Sequence, residues 1–214
     1  MGGTAAGGFL ATLEPGDQQA LTGAGVDRTY RRGQWLFHQG DPGDFVVLLV
    51  RGRVKVVAAH TSGGTSILSV RGPGELVGEL AAIDGSPRLA GATALDSLTV
   101  RLIAADEFRV LVAARPSLSL ALLRMLVRRL QEADRRRAEF GSADTAFRIA
   151  RLLPELADDD GYVTLSQEEL AGMVGASRES VARALASLRR DGLVATDRRR
   201  IAIRDRGGLD RFTS

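Results

Sequence analysis

Between Ser117 and Phe140 the chain runs for 24 residues without a glycine or a proline. Inside a helix a glycine costs about 1 kcal/mol and a proline about 3, so such a run predicts one long helix. Pro116 fits its first turn, and Gly141 marks its end. Leu123, Leu126, Leu130 and Ala133 recur at the 3-4-3 spacing of a coiled-coil seam, while Arg128, Arg129, Glu132, Arg135 and Arg136 take the remaining surface. One apolar seam on a long helix needs a partner. A second copy of the same helix, paired in parallel, is the expected one; the alternative is the β-rich part of the same chain. The helix also divides the sequence into two unlike parts.

Upstream, strands and turns dominate. Asp17 to Leu21 is a candidate short helix. Then come the β-rich runs Trp35-Leu36-Phe37, Phe45 to Val50, Val54 to Ala59, Ser66 to Val70 and Leu98 to Ile103, punctuated by Gly33, Gly40, Gly43, Gly52, Gly63-Gly64, Gly72 and Gly74. Short strands separated by glycine turns predict a sandwich or barrel. Glu107 to Ala114 reads as a short helix. Residues 1–115 therefore form one domain and 116–141 the long helix.

Residues 142–214 form the second domain. Gly141-Ser142-Ala143 reads as a hinge, Asp144 as the N-cap of a helix over Thr145 to Leu156, and Asp158-Asp159-Asp160-Gly161 as a turn. Charge follows this division. Residues 1–115 carry 11 basic and 11 acidic side chains, and residues 116–214 carry 18 and 15. All the cations are arginine except Lys55. The guanidinium fork suits phosphate and guanine, although arginine bias also follows from base composition.

Several chemistries are closed to this chain. With no cysteine there is no disulfide, thiolate zinc site or cysteine-held iron–sulfur cluster. The two histidines, His38 and His60, leave little for a metal site or a catalytic triad, and His38 is expected to be structural, not a haem or metal ligand. No nucleophile–base set is evident, so an enzyme is not expected, nor is a metal or any required cofactor. No apolar run approaches the ~18 residues of a membrane span, and Met1 to Gly8 lacks the features of a secretory leader. A cytoplasmic chain without a membrane partner is expected.

The C-terminal domain contains two short helices around a tight turn. Ser166 and Glu169 make a capping box for a helix over Gln167 to Val174, Gly175-Ala176 turn the chain, and Ser177 caps a helix from Arg178 to Arg190. Val181, Leu185 and Leu188 share the inner face of the second helix. At 100° per residue Glu179 and Arg183 lie nearly opposite, with Arg178 to one side at the N-terminal turn. This is the layout of a helix-turn-helix whose second helix enters the major groove. Arg178 and Arg183 can grip guanine O6 and N7, and Glu179 can accept from cytosine N4. Ser177 and Ser180 are short donors placed for phosphates, and Gln167 at the start of the first helix is a further DNA-binding candidate. A hairpin follows, Leu193 to Thr196 and Arg200 to Arg204, with Arg198 and Arg199 at its tip as a phosphate-seeking wing.

Leu165 to Ala171 with Gly175 to Leu185 resembles the helix-turn-helix of the CRP/FNR family of bacterial regulators. Phe37-His38-Gln39-Gly40-Asp41-Pro42-Gly43-Asp44 and Val50 to Val54 resemble that family's cyclic-nucleotide-binding β-roll, and Val77 to Ala90 resembles its phosphate-binding cassette. The resemblance implies an α+β fold: an N-terminal β-roll of jelly-roll type, a long dimerisation helix and a C-terminal winged helix-turn-helix. It implies a homodimer on a pseudo-palindromic operator in double-stranded DNA, with RNA polymerase as a further partner.

The resemblance also implies an effector site. Gly78, Glu79 and Leu80 would open a short helix whose amides, with Arg88, hold a cyclic phosphate, and Glu79 would accept from the ribose. Leu89 and Ala90 follow that arginine, and Ala133 and Asp134 fall where cAMP-responsive members place a Thr-Ser pair. Leu89 and Ala133 have no hydrogen-bonding side chain, and a carboxylate at 134 is unfavourable near a phosphodiester. The residues leave three alternatives open: cAMP or another cyclic nucleotide, a different small effector, or a regulator that acts without ligand around a vestigial pocket. A regulatory subunit that binds no DNA is the remote alternative.

Overall fold

The structure, a computed structural model, describes residues 8–59, 65–142, 144–158, 160–197 and 200–213. It divides into two compact units between Gln131 and Glu132.

The first unit begins with a 3-10 turn, Leu10–Thr12, and helix α1, Pro15–Gly23. Eight strands follow: β1 (Val26–Tyr30), β2 (Trp35–Phe37), β3 (Phe45–Arg51), β4 (Val54–Ala59), β5 (Thr65–Arg71), β6 (Leu76–Val77), β7 (Gly91–Ala94) and β8 (Leu98–Ala104). Helix α2, Glu79–Asp84, lies between β6 and β7; α3 spans Ala105–Ala114 and α4 spans Pro116–Ser142. The strands form two antiparallel four-stranded sheets, ordered β1-β8-β3-β6 and β2-β7-β4-β5. The expected sandwich is present. Strands β1, β6 and β7 were not anticipated: Val26–Tyr30 is mostly exposed and Leu76–Val77 is only two residues long, so neither carries a period-2 signal.

Strand β3 explains the layering. Its run Phe45-Val46-Val47-Leu48-Leu49 is apolar without alternation because both of its faces are covered. Val47 and Leu49 point between the sheets with Phe37, Val54, Ala92 and Val100. Val46 and Leu48 point the other way, into a cluster built from the N-terminal segment and α3–α4: Phe9, Leu21, Phe108, Leu118, Leu122 and Met125.

Helix α4 carries two apolar stripes. Leu118, Ala121, Leu122 and Met125 are buried in that cluster, and Leu126 packs against it half-buried. On the other side Leu120, Leu123, Val127 and Leu130 are 47%, 57%, 44% and 61% exposed. The seam expected from the sequence is therefore corrected. Leu126 turns inward, Val127 takes its place in the exposed stripe, and the inner face of the helix packs on the β-rich part of its own chain. The helix also continues through Gly141 to Ser142, so the hinge does not begin at Gly141; Ala143 lies outside the described residues, as does His60.

The second unit contains α5 (Thr145–Leu156), β9 (Tyr162–Val163), α6 (Gln167–Val174), α7 (Arg178–Arg190), β10 (Val194–Asp197), β11 (Arg200–Ile203) and α8 (Arg206–Phe212). The strands pair in the order β10-β11-β9. Asp144 precedes α5 but its side chain makes no capping bond. Helix α8 went unseen in the sequence because two glycines open it. Asp205 caps it, accepting from the Gly208 amide, and Leu209 anchors it with no exposed surface. No single helix among the described residues is long and apolar enough to cross a membrane.

Leu118 is fully buried on the inner stripe of α4. Leu118→Ala is expected to cost about 2–5 kcal/mol of stability, read as a lowered urea midpoint.

Candidate functional site

The turn from β6 into α2 builds one wall of a cleft. Gly78 precedes the helix with φ of 83°, a conformation that glycine adopts without steric cost. It also lets Arg88 approach: a Cβ at position 78 would lie 2.5 Å from Arg88 Nη1. That nitrogen donates to the Gly78 carbonyl at 2.7 Å, and Nη2 donates to the Phe45 carbonyl at 2.6 Å. The Phe37 and Phe45 rings flank the guanidinium at 4.3 and 4.7 Å. Arg88 is only 2% exposed, and its Nε is buried without a partner. Burial pulls its pKa below the ordinary arginine value, while Asp44, Asp41 and Glu79 pull the other way. From so high a starting value it stays charged at neutral pH.

Glu79, 3% exposed, faces the long helix. Arg129 Nη1 donates to Glu79 Oε1 at 2.6 Å, and Arg129 Nη2 donates to Glu75 Oε2 and the Leu76 carbonyl, each at 2.9 Å. The sequence reading places Arg129 on the solvated face of α4. The structure corrects this: its side chain is 19% exposed and spans two carboxylates. Four residues past Met125, it continues the inner stripe of Leu118, Leu122 and Met125, and that spacing is the available signal.

The cleft between these groups has a volume of about 120 Å³ and is lined by Gly78, Glu79, Leu80, Arg88, Leu89 and Ala90 of the expected set, with Phe37, Val56, Ser69, Arg71, Leu76, Val77, Ala81 and Arg129 besides. Leu80 and Leu89 are 43% and 68% exposed beside it. Ala133 and Asp134, the other two expected residues, are exposed further along α4 and are not among this lining. His38 stacks on Trp35 with ring centroids 4.5 Å apart.

The second unit presents the other site. Ser166 and Glu169 form the reciprocal capping box: the Glu169 amide donates to Ser166 Oγ at 3.1 Å and the Ser166 amide to Glu169 Oε2 at 2.8 Å. Gly175, at φ of 60°, turns the chain, and Ser177 Oγ accepts from the Ser180 amide at 3.1 Å to start α7. Val181, Leu185 and Leu188 are buried, which leaves Arg178, Glu179 and Arg183 exposed along α7 with Gln167 exposed at the start of α6. Arg183 Nη2 rests 3.2 Å from Ser180 Oγ. Hydrogen bonds from its own backbone amide and from the Ser177 hydroxyl hold the Glu179 carboxyl below the ordinary range, with Arg178 and Arg183 adding to the effect. Glu179 is thus an acceptor at neutral pH.

A groove of about 380 Å³ runs between these helix starts and the hairpin, lined by Ser166, Gln167, Arg178, Thr196, Asp197 and Arg200 among others. Arg200, read from the sequence only as a strand residue, lies over the Tyr162 ring at 3.4 Å. Arg198 and Arg199 lie outside the described residues.

Residues 27–115 match the cyclic nucleotide-binding domain family, and residues 147–212 match the Crp-like helix-turn-helix domain. A CRP-like cAMP-activated global transcriptional regulator of Mycobacterium tuberculosis is 33% identical over 213 residues, 95% of each chain. A cyclic AMP receptor protein of Thermus thermophilus is 31% identical over 186 residues, 86% of each chain. Among solved structures, a CRP-family transcriptional regulator from Thermus thermophilus aligns with a TM-score of 0.71 at 29% identity, covering 87% of this chain and 96% of that one. The class these matches define is a DNA-binding transcription regulator carrying a cyclic nucleotide-binding domain; it is not a class of enzymes. The chain belongs to the CRP/FNR family of transcription regulators.

Gly78→Ala is expected to strain the backbone and displace Arg88, destabilising the first unit by at least about 1 kcal/mol, read as a lower melting temperature.

Proposed function

We propose that the protein is a homodimer that reads a pseudo-palindromic operator and answers to a small effector held in the β-roll cleft. The observation that carries the effector reading is the Arg129–Glu79 ion pair. One side chain of the long helix bonds the acid that the family resemblance assigns to the ligand, so a ligand that engages Glu79 competes for Arg129. Such a ligand can shift α4 only through its differential affinity for the two arrangements, and a few kcal/mol suffice. The exposed stripe Leu120, Leu123, Val127 and Leu130 supports pairing of two α4 helices, whose apolar side chains would otherwise stay in water. The operator is read by Arg178, Glu179 and Arg183 and gripped through Gln167, Ser177, Ser180, Arg198 and Arg199. The setting is the cytoplasm, with RNA polymerase as the further partner.

Two relatives are named for cAMP, one as activated by it and one as its receptor. A cyclic nucleotide is accordingly the first effector to test, with Arg88 and the amides at the start of α2 on its phosphate and Glu79 on its ribose. Leu89 and Ala133 leave the choice of base to other contacts. A second reading, a regulator active without ligand, has its own support. Both terminal nitrogens of Arg88 already hold carbonyls, so this arginine serves the fold whether or not an anion arrives.

A nucleotide panel scored by operator affinity at fixed salt separates the two. Tighter operator binding with a cyclic nucleotide supports the first reading; no heat and no shift with any member supports the second. On the DNA side, Arg183→Ala is expected to cost about 1–3 kcal/mol and relax specificity at one base pair. Uniform weakening across all sequences, with a salt slope shallower by about one, would make Arg183 a phosphate contact.

A further inference from the structure

The effector cleft and the N-terminal segment share one carboxylate. Glu75 sits in the turn between β5 and β6. Its Oε1 accepts from the Phe9 amide at 3.0 Å and its Oε2 from Arg129 Nη2 at 2.9 Å. The Leu10 amide donates to the Gly74 carbonyl at 2.8 Å, which fixes the backbone of residues 9 and 10 on the same turn. From there the segment lies along the unit as a strap. Phe9 and Leu13, 2% and 6% exposed, enter the core cluster with Leu118, Leu122 and Met125 of α4. Asp17 in α1, 3% exposed, pairs with Arg115 Nη1 at 3.2 Å, just before α4 begins. The strap thus meets the long helix at its start and again, through Glu75, at Arg129.

We infer that Glu75 is a positioning residue for the cleft, acting through Arg129, and that it makes the N-terminal strap sense what happens at Glu79. The guanidinium of Arg129 is planar, so its bonds to Glu79, Glu75 and the Leu76 carbonyl cannot be re-aimed one at a time. Drawing Arg129 toward a ligand, or releasing it from Glu79, strains the bond to Glu75. The two oxygens of Glu75 belong to one rigid group. A carboxylate that turns to follow Arg129 takes its other oxygen away from the Phe9 amide, and one that stays loses its charged partner. Either outcome loosens the strap at residues 9 and 10. The inference builds on the effector reading of the cleft, but the coupling itself requires no particular ligand.

Hydrogen exchange at single amides of the full chain tests it. In Arg129→Met the Phe9 and Leu10 amides are expected to exchange about tenfold faster, the change that follows loss of a charge-supported hydrogen bond, while Val47 and Leu48 in β3 keep their protection. Unchanged exchange at Phe9 and Leu10 with β3 protected overturns the inference. Where Arg129→Met also loosens β3, Arg129→Lys decides: an ammonium keeps the charge but lacks the planar fork that bonds Glu79 and Glu75 through separate nitrogens, and a smaller acceleration confined to Phe9 and Leu10 is expected, with none overturning the claim. Glu75→Gln retains an oxygen for Phe9 but turns an amide donor toward Arg129. It is expected to weaken cAMP binding severalfold by calorimetry and, with the Arg129 partner lost, to speed exchange at Phe9; unchanged affinity together with unchanged Phe9 protection overturns the positioning role. If the unaltered protein gives no heat with cAMP, the cyclic-nucleotide reading fails, and the exchange in the Arg129 variants alone decides the coupling.

Discussion

A helix that is apolar on two faces cannot bury both within one small unit. Helix α4 spends its inner face, Leu118 to Met125, on the β-roll and the N-terminal segment, and keeps Leu120, Leu123, Val127 and Leu130 in water. The rest of the first unit is arranged around the inner face. It draws β3 into a middle layer buried on both sides, brings Phe9 and Leu21 under the helix, and delivers Arg129 to the cleft. The outer face is left as an apolar stripe in water, the surface on which the proposed pairing of two α4 helices rests.

The cleft is an electrostatic problem solved in two ways. Arg88 is desolvated and compensated by carbonyl oxygens and aromatic faces, not by a close carboxylate; Asp44 is 3.9 Å away and largely exposed. Glu79 is desolvated and compensated by Arg129. Removing one member of such a buried pair leaves a charge that costs several kcal/mol, whereas an arriving ligand can exchange one partner for another at much smaller net cost.

The DNA-binding unit was almost wholly legible from sequence because its determinants are local. Ser166 with Glu169 and Ser177 with Ser180 are contacts within one helical turn, and the spacing of Val181, Leu185 and Leu188 alone sets which face of α7 is exposed. Helix α8 escaped because Gly207 and Gly208 hide it, and only the packing of Leu209 and the Asp205 cap make it a helix.

The first unit divides the other way. The sequence by itself determined that α4 is one long helix and that the N-terminal part is a sandwich or barrel of short strands, while the family resemblance grouped Gly78, Glu79 and Arg88 in one site. Only the tertiary structure decided that Leu126 faces inward and Val127 outward, that Arg129 leaves the surface for Glu79 and Glu75, and that Arg88 is already held by the Gly78 and Phe45 carbonyls. The reason is sequence separation. Periodicity and caps act over three or four residues, whereas the Arg129–Glu79 and Arg88–Phe45 contacts join positions 50 and 43 residues apart. Their existence depends on how two sheets and a helix pack, and no short stretch of the chain encodes that.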